Sequence, residues 1–131
     1  MNSNHHKKML LLFSHTLTDT QIEDAQKNFG IDKFIYLPKD LQYQWSNISP
    51  ELENISSIFT LFKDWIENEA NAGDIVLVQG DFGLTYNIVE YCKLKGIFPV
   101  YSTTSRDVVE NKKDDLTILQ RSFKHVRFRR Y

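Results

Sequence analysis

Four short apolar runs, KMLLLFS at 8–14, KFIYLP at 33–38, DIVLVQ at 74–79 and FPVYSTT at 98–104, alternate with segments of helical spacing. Runs that are apolar throughout suit strands buried on both faces, and two-sided burial needs helices above and below the sheet. The pattern therefore predicts an α/β fold: a Rossmann-like three-layer sandwich, its sheet mainly parallel with an antiparallel C-terminal edge. Thr18 is placed to cap a helix through Phe29, in which Ile22, Ala25 and Phe29 keep helical spacing and Gly30 is the stop. LQYQWSN at 41–47 suits a short helix. Ser49 followed by Pro50 predicts the start of a longer one. Its stripe of Ile55, Ile58, Phe59, Phe62, Trp65 and Ile66 fits core packing better than a partner surface. A further helix is expected from about Leu84 to Lys95, with Ile88, Tyr91 and Cys92 inward and Gly96 past its end. RDVVENKKDD reads as a polar connection. LTILQRSF and HVRFRRY read as an antiparallel pair or one long bent strand.

A chain of 131 residues fits one domain, 1–131, with 1–7 as a disordered tail. With 41% hydrophobic and 25% charged residues it is a globular composition, and a net charge of −1 argues against bulk attraction to long nucleic acid or to membranes. No apolar run approaches the roughly 20 residues that span a bilayer, and no signal peptide is visible, so a cytoplasmic protein is expected. Cys92 is single, which excludes a disulfide within the chain. No cluster has metal-ligand spacing, so neither a metal nor another cofactor is expected. The charge is uneven, however. The ending RSFKHVRFRRY carries five cations and no acid, which suits either an acidic partner or an edge strand protected from aggregation.

Parallel strands bring their carboxyl ends to one edge, where ligands of open α/β sheets bind. Here those ends carry Ser14-His15-Thr16, Gln79-Gly80-Asp81-Phe82-Gly83 and Ser102-Thr103-Thr104-Ser105-Arg106. Gly80 and Gly83 leave the backbone bare, either for a tight turn or for a phosphate or base to lie against it. Asp81 is suited to a ribose hydroxyl, and Phe82 and Tyr86 to stacking on a base. The hydroxyls of Ser14, Thr103, Thr104 and Ser105 and the side chain of Gln79 complete a polar set for a nucleotide. Arg106 can grip phosphate oxygens through two hydrogen bonds. His15 is a candidate general acid or base. His5 and His6 read as tail, and His125 as a strand residue. GDFG is neither the kinase motif, which a chain of this length cannot support, nor GxGxxG.

LFSHTLT, IVLVQGDFGLTY, VYSTTSR and the ending FKHVRFRRY together resemble a family of small CRISPR-associated proteins. These are the Rossmann-like Csx proteins of type III systems, related in fold to CARF sensor domains. The resemblance covers nearly the whole chain, with 39–72 as its variable part. It implies a ring nuclease that binds a cyclic oligoadenylate, cyclic tetra-adenylate above all, across the two-fold axis of a homodimer. Metal-free cutting by a ribose 2′-hydroxyl would leave a 2′,3′-cyclic phosphate and end antiviral signalling. On chemical grounds, Arg106 would then stabilise phosphate charge and His15 would move the proton. Two alternatives remain open at this level: a non-catalytic binder of the same messenger, and an interaction subunit docking on protein or RNA through its basic ending.

Overall fold

The two-sided burial predicted for the central strands is what the fold displays. The structure is a computed structural model that describes the backbone of residues 7–113 and 116–131 and the side chains of residues 7–106 and 123–131. Five strands form one sheet: β1 (Lys8–Leu12), β2 (Lys33–Tyr36), β3 (Ile75–Val78), β4 (Phe98–Lys113) and β5 (Leu116–Arg130). Their order is β2-β1-β3-β4-β5, with β1, β2, β3 and β4 parallel and β5 antiparallel to β4. The helices are α1 (Asp19–Phe29), α2 (Lys39–Ser46), α3 (Ser56–Glu69) and α4 (Phe82–Leu94).

Strand alternation divides the core into two. Met9, Leu11, Ile75, Leu77 and Val100 point to one face, where Ala25 of α1 and Phe128 of β5 cover them. Leu10, Leu12, Val76 and Val78 point to the other, against Trp45 of α2, Phe62 and Ile66 of α3, and Leu84, Ile88 and Cys92 of α4. This is the three-layer sandwich. Cys92 is fully buried and its thiol is pushed up to about 12 by burial, so it serves packing.

The predicted boundaries hold for α1, where Thr18 Oγ1 accepts from the Gln21 amide, the Gln21 side chain returns a bond to the Thr18 amide, and Gly30 closes the helix at φ 64°. Two expectations are corrected and one open alternative is decided. Ser49 and Pro50 do not start α3; the Ser49 hydroxyl instead accepts from the Glu51 amide in a turn, and the helix begins at Ser56. RDVVENKKDD is no connection through Lys113, because β4 continues to that residue; Asp114 and Asp115 lie outside the described residues. LTILQRSF and HVRFRRY form one strand, β5. Of the expected tail, residues 1–6 lie outside the described residues, whereas Lys7 is bound in through the Asp32 amide, which donates to its carbonyl at 2.9 Å.

β3 pairs with β4 only from Phe98 to Val100. Past that point β4 and β5 run on as a two-stranded arm, and from Thr103 to Lys113 it reaches roughly 35 Å at about 3.3 Å per residue. Its register slips once: Thr103 faces Arg127 and Thr104 faces His125, so Val126 is the extra residue of a bulge. Among the described residues, no helix is long and apolar enough to cross a membrane.

Candidate functional site

The chain leaves β1 for β2 on one side and returns with β3 on the other, so the strand order reverses between β1 and β3. That is the position where open α/β sheets bind ligands. A cleft of about 310 Å³ lies there, lined by Ser14, Trp45, Ser46, Ile48, Gly80 and Asp81. The Ser46 hydroxyl donates to Ser14 Oγ at 3.1 Å, and the Trp45 indole donates to the Gln79 carbonyl at 3.1 Å.

A larger cavity of about 600 Å³ opens beside it, between the end of β3, Tyr101 near the start of β4 and the first turns of α4. Gln79, Gly80, Phe82, Thr85, Tyr86, Tyr101 and Tyr131 contribute to its wall. The Tyr101 and Tyr131 rings lie 4.8 Å apart, and the Tyr131 hydroxyl donates to the Val78 carbonyl at 2.5 Å. Burial, with the neighbouring Tyr101 phenol, raises the Tyr131 hydroxyl above its ordinary range. Arg129 donates to the Tyr101 hydroxyl at 2.9 Å, its guanidinium 5.6 Å from that ring's centre. By contrast, Phe82 is 94% exposed and Tyr86 65%. The buried Thr85 hydroxyl lacks a hydrogen-bond partner among the described residues. Aromatic surface left in water is a cost that a ligand would remove.

The predicted site residues fall into groups. Gln79, Gly80, Phe82 and Tyr86 share the larger cavity, and Ser14, Gly80 and Asp81 the smaller. Gly80 has a structural duty: a Cβ there would stand 2.7 Å from the Trp45 ring. Gly83 has none of that kind, since a Cβ would meet nothing closer than 3.6 Å and its φ is not left-handed. Asp81 caps α4 by accepting from the Leu84 amide at 3.0 Å. His15 is exposed, with its ring edge-on to Phe13 at 5.3 Å. Thr103, Thr104, Ser105 and Arg106 are strand residues of the arm and not a loop, and none of them lines either cavity. Thr103 Oγ1 donates to the Arg127 carbonyl and accepts from its amide, and Arg106 lies over the Phe123 ring at 5.3 Å.

On the α1 face of the same edge lies an arrangement that sequence reasoning missed. His125 Nδ1 is 2.5 Å from Ser102 Oγ, and its Nε2 is 2.7 Å from Asp24 Oδ2. The His125 side chain is 3% exposed and that of Asp24 9%. Burial works to raise the Asp24 carboxyl, but hydrogen bonds from Asn28 (2.7 Å), His125 and the Phe128 amide (3.1 Å) hold it below its ordinary value. Ser102 is fixed in turn: its amide donates to Gln79 Oε1 at 2.8 Å, and the Gln21 side chain donates toward its hydroxyl at 3.5 Å. The bulge is what makes this possible. A regular strand would alternate His125 and Phe128 to opposite faces, whereas the extra residue Val126 turns both toward α1, their rings 4.4 Å apart. Among the described residues, no group of three or more His, Cys, Asp or Glu is gathered as metal donors.

Fold and edge together define a Rossmann-like α/β domain with its candidate site at the carboxyl end of a mostly parallel sheet. The chain belongs to the family described as Uncharacterized protein MJ1673 family, whose pattern matches residues 7–129. It is similar to Uncharacterized protein MJ1673 of Methanocaldococcus jannaschii, with 51% identity over 124 residues that cover 95% of this chain and 96% of that protein. No solved structure gives a significant match.

Proposed function

We propose that the protein binds a cyclic oligoadenylate, cyclic tetra-adenylate first among them, at the carboxyl edge of its sheet and opens the ring without a metal. The observation that carries this reading is the aromatic cavity. It offers Phe82 and Tyr86 to an incoming ring and Arg129 at the Tyr101 rim for a phosphate. Base stacking on aromatic side chains is worth roughly 1–3 kcal/mol per base, and a guanidinium beside a stacked base suits the adjoining phosphate. A volume near 600 Å³ is in the range of small-ligand sites. A ring of four nucleotides is larger than one such cavity, and a homodimer with the ligand across its two-fold axis supplies a second.

Ring opening proceeds by attack of a ribose 2′-hydroxyl on the adjacent phosphorus with loss of the 5′-oxygen, giving a linear product with a 2′,3′-cyclic phosphate. The protein's task is then to hold the attacking oxygen in line, take up its proton and balance charge on the phosphate. The decisive experiment is incubation of the purified protein with cyclic tetra-adenylate in EDTA, with the products resolved. The linear cyclic-phosphate product is the expected result. A bound, uncut ring would establish a binder instead, and no binding would sink the proposal. Within this reading Arg129→Ala is expected to weaken binding about tenfold or more, and Arg106→Ala less. The reverse order would move the phosphate contact out to the arm.

A further inference from the structure

We infer that Ser102, His125 and Asp24 form an acid–base site in which the Ser102 hydroxyl is primed to give up its proton to His125. The hydrogen-bond directions follow from the partners. An ionised carboxylate only accepts, so His125 Nε2 carries the hydrogen that faces Asp24. In the neutral ring Nδ1 then holds a lone pair, and it is aimed at Ser102 Oγ from 2.5 Å. The Ser102 O–H therefore donates to Nδ1, and its oxygen is left to accept from the Gln21 side chain and from an incoming group. When Ser102 loses its proton, the imidazolium that forms lies between the two oxygens that stabilise it. Asp24 is suited to that charge because the Phe128 amide and Asn28 keep its carboxyl ionised and in place. The Gln21 N–H, 3.5 Å from Ser102 Oγ, faces the charge that develops on that oxygen.

The geometry is that of the Ser-His-Asp hydrolases with the two ring nitrogens exchanged, since in those enzymes Nε2 faces the hydroxyl. The substrate class it suits is a phosphoester presented at the carboxyl edge. Ser102 lines neither cavity and faces α1, on the opposite side of β4 from Tyr101; its link to the aromatic cavity is its amide, which is held at 2.8 Å by the side chain of Gln79, a residue of that cavity's wall. In ring opening, a use that rests on the proposed function above, a ribose of the ring that reaches across the sheet edge to the α1 face hands its 2′-hydroxyl proton to Ser102 Oγ as Ser102 passes its own to His125 Nδ1. The 2′-oxygen bonds to phosphorus, the bond from phosphorus to the 5′-oxygen breaks, and the leaving oxygen takes a proton from water. Ser102 is the group that touches the substrate; His125 and Asp24 position and receive.

Two readouts on the full chain test this. The first uses a fluorophosphonate probe and no nucleotide. Attack by Ser102 Oγ forms an oxygen–phosphorus bond, expels fluoride and sends the proton to His125. Wild-type protein is expected to be labelled at Ser102, and His125→Gln at least about 100-fold more slowly, the scale of general-base assistance. Thermal melting keeps misfolded variants out of the comparison. Folded wild-type protein that is not labelled at Ser102, or a His125→Gln variant labelled as fast, overturns the site. The second readout is single-turnover cutting of cyclic tetra-adenylate in EDTA, with binding measured alongside. Ser102→Ala is expected to bind within about threefold of wild type and to cut at least about 100-fold more slowly. Cutting at the wild-type rate would remove Ser102 from ring opening. Labelled wild-type protein that neither binds nor cuts the ring would fell the proposed function and leave the acid–base site standing.

Discussion

Tyr101 and Ser102 are neighbours on β4, yet they belong to two regions built on opposite principles. Tyr101 faces α4 and an open cavity where Phe82 and Tyr86 lie in solvent. Ser102 faces α1 and a closed chain of hydrogen bonds in which Gln21, Gln79, His125 and Asp24 each have a partner. Where every polar group is satisfied internally, a substitution is paid in folding free energy. Where groups have no internal partner, it leaves folding alone and is felt by whatever binds there.

The largest effect is expected from breaking the closed region at its base. Asp24→Ala removes the acceptor of His125, of the Phe128 amide and of Asn28, and denaturant unfolding should show a loss of about 3 kcal/mol. A loss under about 1 kcal/mol would mean that the network is not closed. Gly80→Ala drives a methyl group into the Trp45 ring and should cost about 2 kcal/mol by the same measurement. Phe82→Ala tests the open region. Its melting temperature should correspond to a change within about 0.5 kcal/mol, while affinity for cyclic tetra-adenylate should fall about tenfold or more. If it instead unfolds the protein, the contrast between the regions fails. Gly83→Ala sharpens the comparison further. The new Cβ meets only ordinary contacts within the first turn of α4, so stability should rise by up to about 1 kcal/mol. Any accompanying loss of affinity then belongs to the ligand.

The smallest effect is a pH dependence. The Asp24 carboxyl lies below its ordinary value in the folded chain, so its contribution is fully present above about pH 4 and fades as pH falls through the lower folded value. Unfolding measured from pH 7 down to pH 3 should show this acid loss in wild type and a reduced one in Asp24→Asn.

Much of the frame was legible because burial writes itself into the pattern. Met9 to Leu12 and Ile75 to Val78 are apolar on both faces and proved buried on both, and Thr18 and Gly30 mark α1 at each end. Ser49-Pro50 misled because the same residues that cap a helix also make a turn, and only the packing of Phe62, Trp65 and Ile66 determines which. The arm misled for another reason. RDVVENKKDD carries no alternation of apolar and polar residues to read, although its backbone pairs with β5 through Lys113. The candidate site was half legible. Gln79, Gly80, Phe82 and Tyr86 were found because strand-end chemistry converges in any parallel sheet. His125 was not found, because period-two reading assigns it opposite Phe128 and a one-residue bulge is invisible to that period. Asp24 lies 101 residues from its partner, with nothing local to mark it. The Gln21 of the capping box was the nearest available signal, since it shows which side of α1's first turn faces the sheet.

The contact between Trp45 and Gly80 also has an optical consequence. The indole is 2% exposed, donates to the Gln79 carbonyl, lies edge-on to Phe62 at 5.1 Å and forms part of the cleft with Ser14 and Asp81. Its emission therefore reports on the ground beneath both cavities, while Trp65, packed in the core with Ile66, supplies a steady background. A ligand that settles against Gly80 alters the field and the solvent around one fluorophore and leaves the other alone, so the protein carries a built-in gauge of occupancy that needs no label.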